Sequence, residues 1–552
     1  MSVTITFPSG RKKNIPLGTT VEEIIEDEEF QSADSPVIAV MVNNDIASLT
    51  YRIEIDCRLA PIKLASREGA DIYRRSLCFL LTIAARGLFP DRRLVIGHSL
   101  GRGYFYYFDN IEEVSDRDLE RIRERMQEIV QTCLPIRRQV IPYLEAVQYF
   151  EINNQRDTVL LLKNRNDPKI AVYRCGEFID LAHAPLVPNT GILKVFDILN
   201  YPPGFLLRYP AWNKPSEMSP FKDDPVLFAI YREYKNWGKI LNVNCVGLLN
   251  DLIHERRVKE FIQVAEALHD KKIAKIADKI SEKREAVKII LIAGPSSSGK
   301  TTFSKKLSIQ LKVLGRNPVS ISHDDYFLPR ELTPKDEEGN CDFESLNAIN
   351  IALLNEHLVR LLQGEEVIIP RFDFHTGQRK ESGLALRLPK RAILILEGIH
   401  GLNDRLTHLI EKDRKYKIYI STLTQLNLDD HNRISTTDNR LIRRIVRDYQ
   451  FRGHSALDTL SMWQSVRNGE NRNIFPFQNT ADSAFNSALD YECAVLKVYA
   501  EPLLKTVKPD QEVFYEARRL LSFLVDFAPI PSSWVPEYSI LREFIGESAF
   551  KY

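Results

Sequence analysis

Residues 286–302 read AVKIILIAGPSSSGKTT, and this stretch decides the fold of the second half of the chain. Residues 287–293 form a short apolar run rich in β-branched side chains, which is typical of a strand buried in a parallel sheet. The run leads into the pattern G-x-x-x-x-G-K-T, whose glycines let backbone N–H groups approach a phosphate closely. The following TTFSKKLSIQLKVLG places apolar side chains on one side of a helix that Gly315 ends. Strand, loop and helix in this order predict a phosphate-binding loop.

Two side chains of the loop predict its ligand. Lys300 places a positive charge where the β and γ phosphates of a nucleotide would lie, and the Thr301 hydroxyl can bind magnesium. We therefore predict ATP and Mg²⁺ as cofactors. The alternative, an ordinary Gly/Ser turn, is disfavoured by the flanking strand and helix. The predicted phosphate contacts within the loop are Gly294, Ser296, Ser297, Ser298, Gly299, Lys300, Thr301 and Thr302.

The composition is that of a large globular chain. Its 552 residues are 44% hydrophobic and 27% charged, and the net charge is +1. This composition supplies several apolar cores, and it excludes a protein that binds nucleic acid through its overall charge. Seven cysteines without a C-x-x-C pair indicate reduced thiols. The chain shows neither a signal pattern nor a long apolar run, so we expect a cytoplasmic protein that contacts no membrane.

The first half alternates short strands and helices. Residues 1–61 give strands at VTITF, VIAVMVN and RIEIDCRLAPI around a short helix. This unit resembles the TGS domain, a ubiquitin-like β-grasp module at the front of threonyl-tRNA synthetases. Residues 62–245 contain EGADIYRRSLCFLLTIAARGLFPDRRLVIGHSLGRGYFYYFDN and EFIDLAHAPLVPNTG, and they resemble the editing domain of the same synthetases. The resemblance leaves open a contact with RNA through this half.

The editing-like region lacks the side chains of an editing site. Editing synthetases hold a metal or a water with two histidines in H-x-x-x-H and with a later cysteine and histidine in C-x-x-x-H. The matching positions here are Arg75, Phe79, Ala182 and Leu186, none of which offers an imidazole or a thiolate. We therefore expect no zinc site and no editing. Because no synthetase catalytic core follows, we also expect no aminoacylation.

Two further segments flank the domain of the phosphate loop. Residues 246–285 carry apolar side chains near a 3.6-residue period, which predicts a helical connector between the two halves. Residues 506–552 are rich in aromatic residues and proline, which favours a docked C-terminal segment over free disorder.

Carboxylates follow two more predicted strands. Asp324 and Asp325 end the run PVSISHDD, and Glu397 ends the run RAILILE. Ligands of parallel sheets bind at the carboxyl ends of strands, so these side chains are expected to face the phosphate loop. A carboxylate there can orient a hydroxyl and accept its proton, and Glu397 can hold magnesium together with Thr301. The alternative is that each carboxylate only caps a helix.

Four arginines share one face of a helix predicted over TTDNRLIRRIVRDYQFRGH. They follow the spacing i, i+3, i+4, i+7 and are Arg440, Arg443, Arg444 and Arg447. The favoured interpretation is a lid over the ATP phosphates, in which Arg443 and Arg447 are catalytic while Arg440 and Arg444 bind phosphate. Two alternatives stay open: a solvated helix held by pairs such as Arg444 with Asp448, and a helix that contacts RNA.

These motifs together resemble the uridine kinase and phosphoribulokinase family over residues 286–505. The matching pieces are GPSSSGKTT, SHDDYF, ILEGIHGL, DNRLIRRIVRDYQFRG and the segment 340–382. The resemblance implies that Asp324 is the general base. The residues assigned to the acceptor are Asp325, Tyr326, Asp342, Phe372, Phe374, His375, Arg379 and Arg440.

Two positions depart from the uridine kinase pattern. Uridine kinases carry a tyrosine where this chain has Phe372 and a histidine where it has Gly377. Both missing groups would touch the nucleoside, and the loss of a hydrogen-bond partner changes selectivity strongly, so uridine itself is not assigned. His375, Gln378 and Arg379 are the candidates to contact a base instead.

The sequence thus predicts a multidomain α+β and α/β protein. Its parts are a β-grasp domain (1–61), an editing-like domain (62–245), the helical connector (246–285), a parallel-sheet phosphate-loop kinase domain (286–505) and the docked segment (506–552). The predicted reaction moves the γ-phosphoryl of ATP to a hydroxyl of a nucleoside or similar small molecule. Two alternatives stay open: a phosphosugar kinase like phosphoribulokinase, and an RNA-binding, translation-linked regulator that ATP switches. A homo-oligomer is compatible with the sequence.

Overall fold

The structure is a computed structural model that describes most of the chain. The described residues are 1–27, 30, 35–109, 111, 113–283, 286–335, 339, 341–373 and 376–552, without the side chains of residues 239, 381 and 382. Two of the predicted acceptor residues, Phe374 and His375, lie outside the described residues.

The N-terminal unit is a mixed five-stranded sheet. Its strands are β1 (Ser2–Thr6), β2 (Lys12–Pro16), β3 (Val37–Val42), β4 (Asp45–Ala47) and β5 (Cys57–Lys63), in the order β2-β1-β5-β3-β4. The outer pairs are antiparallel and β1 runs parallel to β5. The helix expected after Thr20 is a 3-10 turn at Val21–Ile24, which Thr20 and Glu23 cap reciprocally. The sheet has the β-grasp form expected from the sequence.

The next region builds two antiparallel sheets. Its elements are α1 (Arg67–Leu88), β6 (Leu94–Leu100), β7 (Gly103–Phe108), α2 (Asp116–Gln131), β8 (Arg137–Pro142), α3 (Tyr143–Ile152), α4 (Arg156–Leu162), β9 (Lys169–Cys175), β10 (Phe178–Leu181), β11 (Asp197–Tyr201), β12 (Gly204–Arg208) and α5 (Pro225–Leu241). One sheet has the order β11-β12-β7-β6, and the other has the order β10-β9-β8. Helices α1 and α2 pack on the first sheet in one apolar cluster.

Two helices, α6 (Val246–His254) and α7 (Val258–Glu282), lead into the second half. The periodic apolar side chains of α7 that predicted a helix are mostly buried, and they include Phe261, Ile273, Ile276 and Ile280. They pack in the same apolar cluster as Phe303 and Leu307, so α7 is part of the wall of the next domain.

The second half is built on a parallel sheet. Its elements are β13 (Ile289–Ala293), α8 (Lys300–Val313), β14 (Asn317–Ser322), α9 (Ile351–Leu362), β15 (Val367–Asp373), β16 (Gln378–Leu386), β17 (Ala392–Glu397), β18 (Lys415–Ser421), α10 (Thr436–Arg452), α11 (Ala456–Asn473), β19 (Ser483–Asn486), α12 (Glu492–Leu504), α13 (Phe514–Leu524) and α14 (Arg542–Ile545). The sheet order is β14-β17-β13-β18-β19 with every pair parallel, while β15 and β16 form a separate hairpin. All five residues of β13 are buried, as expected for its apolar run in the centre of the sheet.

The two halves share one hydrophobic core. A single cluster of buried side chains includes Phe150 of α3, Leu249 of α6, Ile290 of β13 and Phe544 of α14. Polar contacts also cross: Arg93 Nε donates to Asp430 Oδ2 at 2.9 Å. Side chains of residues 506–552 also belong to this core. The division of the chain into the five predicted parts stays a prediction.

Backbone contacts also join the halves near β6. The Ile96 N–H donates to the Asp430 carbonyl oxygen at 2.9 Å, and Asn427 Nδ2 donates to the Ile96 carbonyl oxygen at 2.7 Å. A ring nitrogen of His98 lies 3.0 Å from Thr436 Oγ1, at the first residue of α10. The loop between β18 and α10 is therefore held by the first half of the chain.

Candidate active site

The phosphate loop has the backbone that its glycines predict. Gly299, directly before α8, has φ +77°, and Ser297 also lies in the left-handed region with φ +58°. A Cβ atom at Gly294 would lie 2.4 Å from the carbonyl oxygen of Ile420 in β18, which is too close for any side chain. Glycine at position 294 therefore lets the loop pass directly over the neighbouring strand.

Lys300 lies folded over the loop. Its Nζ donates to the carbonyl oxygens of Gly294 at 2.9 Å and Pro295 at 3.0 Å. Burial lowers the pKa of Lys300 below its ordinary value, while the nearby carboxylates of Glu397 and Glu543 oppose this effect. The ammonium thus lies inside the concave face of the loop, at the site predicted for the phosphates.

Three neighbouring strands end in one row. Ile292 of β13 pairs with Glu397 of β17, and Glu397 pairs with Ser322 of β14. The phosphate loop, Glu397 and the turn that contains Asp324 consequently lie at the same edge of the sheet, as predicted for ligand-binding strand ends.

Glu397 contacts the loop directly. Thr301 Oγ1 donates to Glu397 Oε1 at 2.7 Å. Burial raises the pKa of Glu397, and the Thr301 hydroxyl and Lys300 partly reverse this effect. A hydroxyl and a carboxylate oxygen therefore lie together beside Lys300, and both are of the oxygen type that Mg²⁺ prefers.

Asp324 lies in a 3-10 turn, His323–Tyr326, that follows β14. Its Oδ1 is 2.9 Å from His323 Nδ1, and 48% of its side chain is exposed. Partial burial alone would raise the pKa of Asp324, but His323, Lys300 and His400 outweigh it, so the pKa lies below its ordinary value. The turn thus presents an ionised, accessible carboxylate within electrostatic range of Lys300.

The residues next to Asp324 point in different directions. Tyr326 is fully buried, and its hydroxyl lies 3.1 Å from His357 Nδ1. This contact places Tyr326 in the core behind the site. Burial raises the pKa of Asp325, although a hydrogen bond from the Phe372 backbone opposes the rise. Asp325 therefore faces the hairpin that carries the other predicted acceptor residues.

An aromatic cluster lies beside this turn. The ring of Phe372 is 5.5 Å from Phe327 and 6.4 Å from Phe343, measured between centroids. Arg379 is opposite Phe372 in the β15–β16 hairpin. The predicted acceptor residues Phe372 and Arg379 are thus brought together on one ribbon next to Asp325.

Asp342 lies in the segment between the Asp324 turn and α9. Its Oδ1 accepts a hydrogen bond of 3.1 Å from the Glu344 backbone, and its Oδ2 is 3.9 Å from Arg472 of α11. Its role in acceptor binding stays a prediction.

The first two arginines of the predicted lid hold the phosphate loop from behind. Arg440 Nη2 donates to Glu470 at 2.8 Å and Arg440 Nη1 to the Ser296 carbonyl oxygen at 3.2 Å. Arg443 is completely buried, and its guanidinium donates to Glu492 at 3.0 Å and to the Ser297 carbonyl oxygen at 3.3 Å. Both side chains are brought to the loop as expected, but each is also neutralised by a carboxylate.

The other two arginines share Asp448. Arg444 Nη1 donates to Ser296 Oγ at 2.7 Å, its Nε is 3.1 Å from Asp448 Oδ2, and Arg447 Nη2 donates to Asp448 Oδ1 at 2.7 Å. The Arg444–Asp448 pair named as an alternative is therefore present beside the loop contact. Direct binding of phosphate by these four arginines stays a prediction.

Sequence reasoning missed four acidic residues of the site. Glu470 and Glu492 pair with the arginines, Glu470 Oε1 also accepts from the Ser296 N–H at 2.8 Å, and Glu543 contacts Thr302. Burial, together with Glu470, raises the pKa of Glu344 to about 7, although Arg444 and Lys300 oppose the rise. Glu470, Glu492 and Glu543 lie outside the motifs quoted above, and Glu344 lies within the segment 340–382, where it was not singled out. The four arginines on one face of α10 were the one signal in the sequence for carboxylates opposite that face.

The editing-like positions are packed as ordinary side chains. Phe79 and Leu186 are buried in the apolar cluster of the second region, with Ala182 against it. Within the described ranges, no group of three or more His, Cys, Asp or Glu side chains is arranged to hold a metal ion. None of the described helices is both long enough and apolar enough to span a membrane.

Comparison with protein families agrees with this geometry. Residues 289–493 match the model of the "Phosphoribulokinase / Uridine kinase family". The second half of the chain carries a domain of this family. The kinase-family domain, as we call it from here, contains the phosphate loop, Asp324, Glu397 and the arginine helix.

The N-terminal part resembles threonine–tRNA ligases. The enzyme of Carboxydothermus hydrogenoformans is 33% identical over 199 residues, which cover 36% of this chain and 31% of that protein. The enzyme of Aromatoleum aromaticum is 33% identical over 197 residues, which cover 35% of this chain and 30% of that protein. This chain therefore spans about a third of the length of these relatives.

Solved structures also resemble part of the chain. A putative fructose transport system kinase from Silicibacter covers 39% of this chain and 98% of its own, at 16% identity and a TM-score of 0.27. A possible uridine kinase from Bacillus stearothermophilus covers the same shares at 17% identity and a TM-score of 0.25.

Proposed function

We propose that this protein is an ATP-dependent kinase that phosphorylates a hydroxyl of a small molecule. The observation that carries the proposal is the row of three strand ends, where the Thr301–Glu397 hydrogen bond of 2.7 Å joins the loop to β17 while Asp324 follows β14. A phosphate site, a pair of oxygen ligands and a proton acceptor lie at one edge of the sheet. Phosphoryl transfer requires these three parts.

The side chains divide the work as follows. The loop amides and Lys300 bind and orient the β and γ phosphates. Asp324, which is ionised, accepts the proton of the acceptor hydroxyl. The oxygen of that hydroxyl bonds to the γ-phosphorus at the same time. The bond from that phosphorus to the β,γ-bridging oxygen breaks, and ADP leaves. Arg440 and Arg443 fix the loop carbonyls and thereby keep the amides in place.

Thr301 and Glu397 fit the magnesium ion that ATP brings. Their two oxygen atoms lie 2.7 Å apart beside Lys300, and both are hard donors. These two residues would hold Mg²⁺, which supplies neutralising charge to the phosphates when bound.

The acceptor we propose is a nucleoside or a sugar-like molecule. The rings of Phe327, Phe343 and Phe372 pack edge to face beside the Asp324 turn, and Arg379 and Asp325 supply polar groups next to them. Phe343 is the partly buried ring of the three, and it would contact a base or a sugar whose hydroxyl reaches Asp324. A phosphosugar would instead need Arg379 or another cation for its phosphate.

A coupled assay of ADP release tests the proposal. The full chain with Mg²⁺ and ATP is incubated with nucleosides, sugars and phosphosugars in turn. We expect one class to stimulate ADP release, and we expect Lys300→Ala to abolish it. Lys312→Ala, which changes an exposed lysine of the same helix, is the matched control and should keep full activity. Absence of acceptor-dependent release with all three classes would contradict the proposal.

The similarity to threonine–tRNA ligases favours RNA as a partner of the first half. We propose this contact as an addition to kinase activity. RNA that co-purifies with the full chain and dissociates steeply with salt would support it. RNA binding without any acceptor-dependent ADP release would favour the ATP-switched regulator instead. A cytoplasmic location and a homo-oligomer stay predictions.

A further inference from the structure

The last part of the chain, residues 532–552, touches the phosphate loop and is called the C-terminal segment from here on. A Cβ atom built on Gly299 would be 2.4 Å from Ile540 Cγ2, so the segment touches the loop where α8 begins. Ile540 and Phe544 are fully buried in the shared core, and Arg542 Nη2 donates to the Val535 carbonyl oxygen at 2.7 Å. The segment is therefore a packed part of the domain.

Glu543 of this segment is bound to the first turn of α8. Its Oε2 accepts hydrogen bonds from the Thr302 N–H at 3.0 Å and from Thr302 Oγ1 at 2.7 Å. The hydroxyl of Tyr552 lies 2.8 Å from the same Thr302 Oγ1, and the Lys305 ammonium lies 5.7 Å from the centre of the Tyr552 ring. From the sequence, Thr302 was predicted to contact a nucleotide phosphate. The Glu543 carboxylate therefore accepts a hydrogen bond from a group that was predicted to bind phosphate.

Glu543 lies at the N-terminus of α8, where an anion binds favourably. The first N–H groups of a helix have no acceptor within the helix, and they bind phosphate or carboxylate. Glu470 does the same at the other end of the loop, where it accepts from the Ser296 N–H. Glu470 forms an ion pair with Arg440, whereas Glu543 interacts electrostatically with Lys300 and Arg452.

We propose that Glu543 competes with the nucleotide for the amide of Thr302, so that ATP binds only after the segment has withdrawn this carboxylate. The inference rests on the proposed function, because it requires the loop to bind ATP. One N–H cannot donate fully to two anions, and a carboxylate and a phosphate at hydrogen-bond distance from the same group repel each other. The C-terminal segment thereby sets the affinity of the site.

Nucleotide titration of the full chain tests the proposal. The dissociation constant of Mg²⁺-ATP is measured by calorimetry for the wild type, Glu543→Gln, Glu543→Ala and the control Glu537→Gln, which changes an exposed glutamate of the same segment. Removing a charge-assisted competitor should tighten binding by about tenfold or more in both Glu543 variants, with the control unchanged.

Three outcomes are distinguishable. Tighter binding by the Glu543 variants alone supports the competition. Equal binding by all four proteins, or weaker binding by the Glu543 variants, overturns it and leaves the proposed kinase function intact. If none of the proteins binds ATP, the proposed function falls and the competition falls with it.

Hydrogen exchange provides a second readout on the unmodified protein. Because ATP must displace Glu543, saturating Mg²⁺-ATP should speed amide exchange by severalfold in peptides from residues 532–552 while it slows exchange in the phosphate loop. Slower exchange in both regions would show that the segment closes on the nucleotide, which contradicts the competition.

Discussion

Thr301 and Glu397 are 96 residues apart in the sequence, yet Thr301 Oγ1 donates to Glu397 Oε1 at 2.7 Å. The contact joins the first turn of α8 to the carboxyl end of β17. It depends on the strand order, since β17 must lie next to β13 for Glu397 to reach the loop. The hydrogen bond thus reports the topology of the sheet, and it joins the two side chains that we propose as magnesium ligands.

Glu397→Gln should lower kcat by about a hundredfold or more, because an amide binds Mg²⁺ far more weakly than a carboxylate. Steady-state kinetics over a range of Mg²⁺ concentrations measure the effect, and a higher Mg²⁺ requirement is expected. Glu366→Gln, an exposed position in the same domain, serves as the control. If kcat and the Mg²⁺ requirement stay at wild-type values, Glu397 is not a metal ligand.

Asp324→Asn should lower kcat by about a hundredfold to ten-thousandfold while ATP binding changes little, because the variant loses only the proton acceptor. Asp413→Asn changes an exposed aspartate of the same domain and should leave kcat unchanged. Equal losses of ATP affinity and of kcat would instead show that Asp324 shapes the nucleotide site.

The pH dependence of activity follows from the same group. The pKa of Asp324 lies below the ordinary value of an aspartate. The Asp324 carboxylate is therefore ionised at every pH above this lowered pKa and takes up a proton only as the pH falls through it. We expect no loss of kcat from Asp324 protonation between about pH 8 and pH 5. If kcat of the wild type fell with decreasing pH near neutrality and kcat of Asp324→Asn did not, the lowered pKa of Asp324 would be contradicted.

Glu344→Gln should stabilise the protein increasingly as the pH rises. Burial raises the pKa of Glu344 from 4.5 to about 7, so the folded state holds a proton that the unfolded state releases. The free energy of unfolding therefore falls as the pH rises from about 4.5 to about 7, by roughly 3 kcal/mol at most. Urea midpoints of the wild type and the variant at about pH 5 and pH 8 measure this. Glu366→Gln should show no such pH-dependent gain.

Arg443→Met should destabilise the kinase-family domain by about 3–5 kcal/mol, because it leaves Glu492 buried without its cation. Arg452→Met, at a half-exposed arginine of the same helix, should change stability by less than about 1 kcal/mol. Denaturant midpoints provide the comparison. A wild-type denaturant midpoint for Arg443→Met would show that the buried Glu492 does not depend on this cation.

Much of the fold was predictable because it follows from local patterns. The apolar run before Gly294, the glycines of the loop and the acidic ends of β14 and β17 each leave a signal within a few residues. Parallel strands then bring those ends together, so the row of Lys300, Glu397 and Asp324 could be inferred before any coordinates.

The partners of the arginine helix were not predictable from such patterns. Glu470 and Glu492 are 30 and 49 residues away from the arginines they bind, and each lies in a segment without a motif. Glu543 is 241 residues away from Thr302. Contacts of this kind depend on how α11, α12 and the C-terminal segment pack, which periodicity does not reveal.

The contact of the β18–α10 loop with β6 has a consequence for how the two halves of the protein evolve. Asn427, Asp430 and Thr436 form hydrogen bonds with a region similar to threonine–tRNA ligases, and both halves contribute to one apolar core. If the two halves were expressed as separate chains, each would expose the apolar side chains that it now buries against the other. Natural selection therefore acts on the two halves together. A substitution at a residue of one half that contacts the other half is expected to change the stability of both.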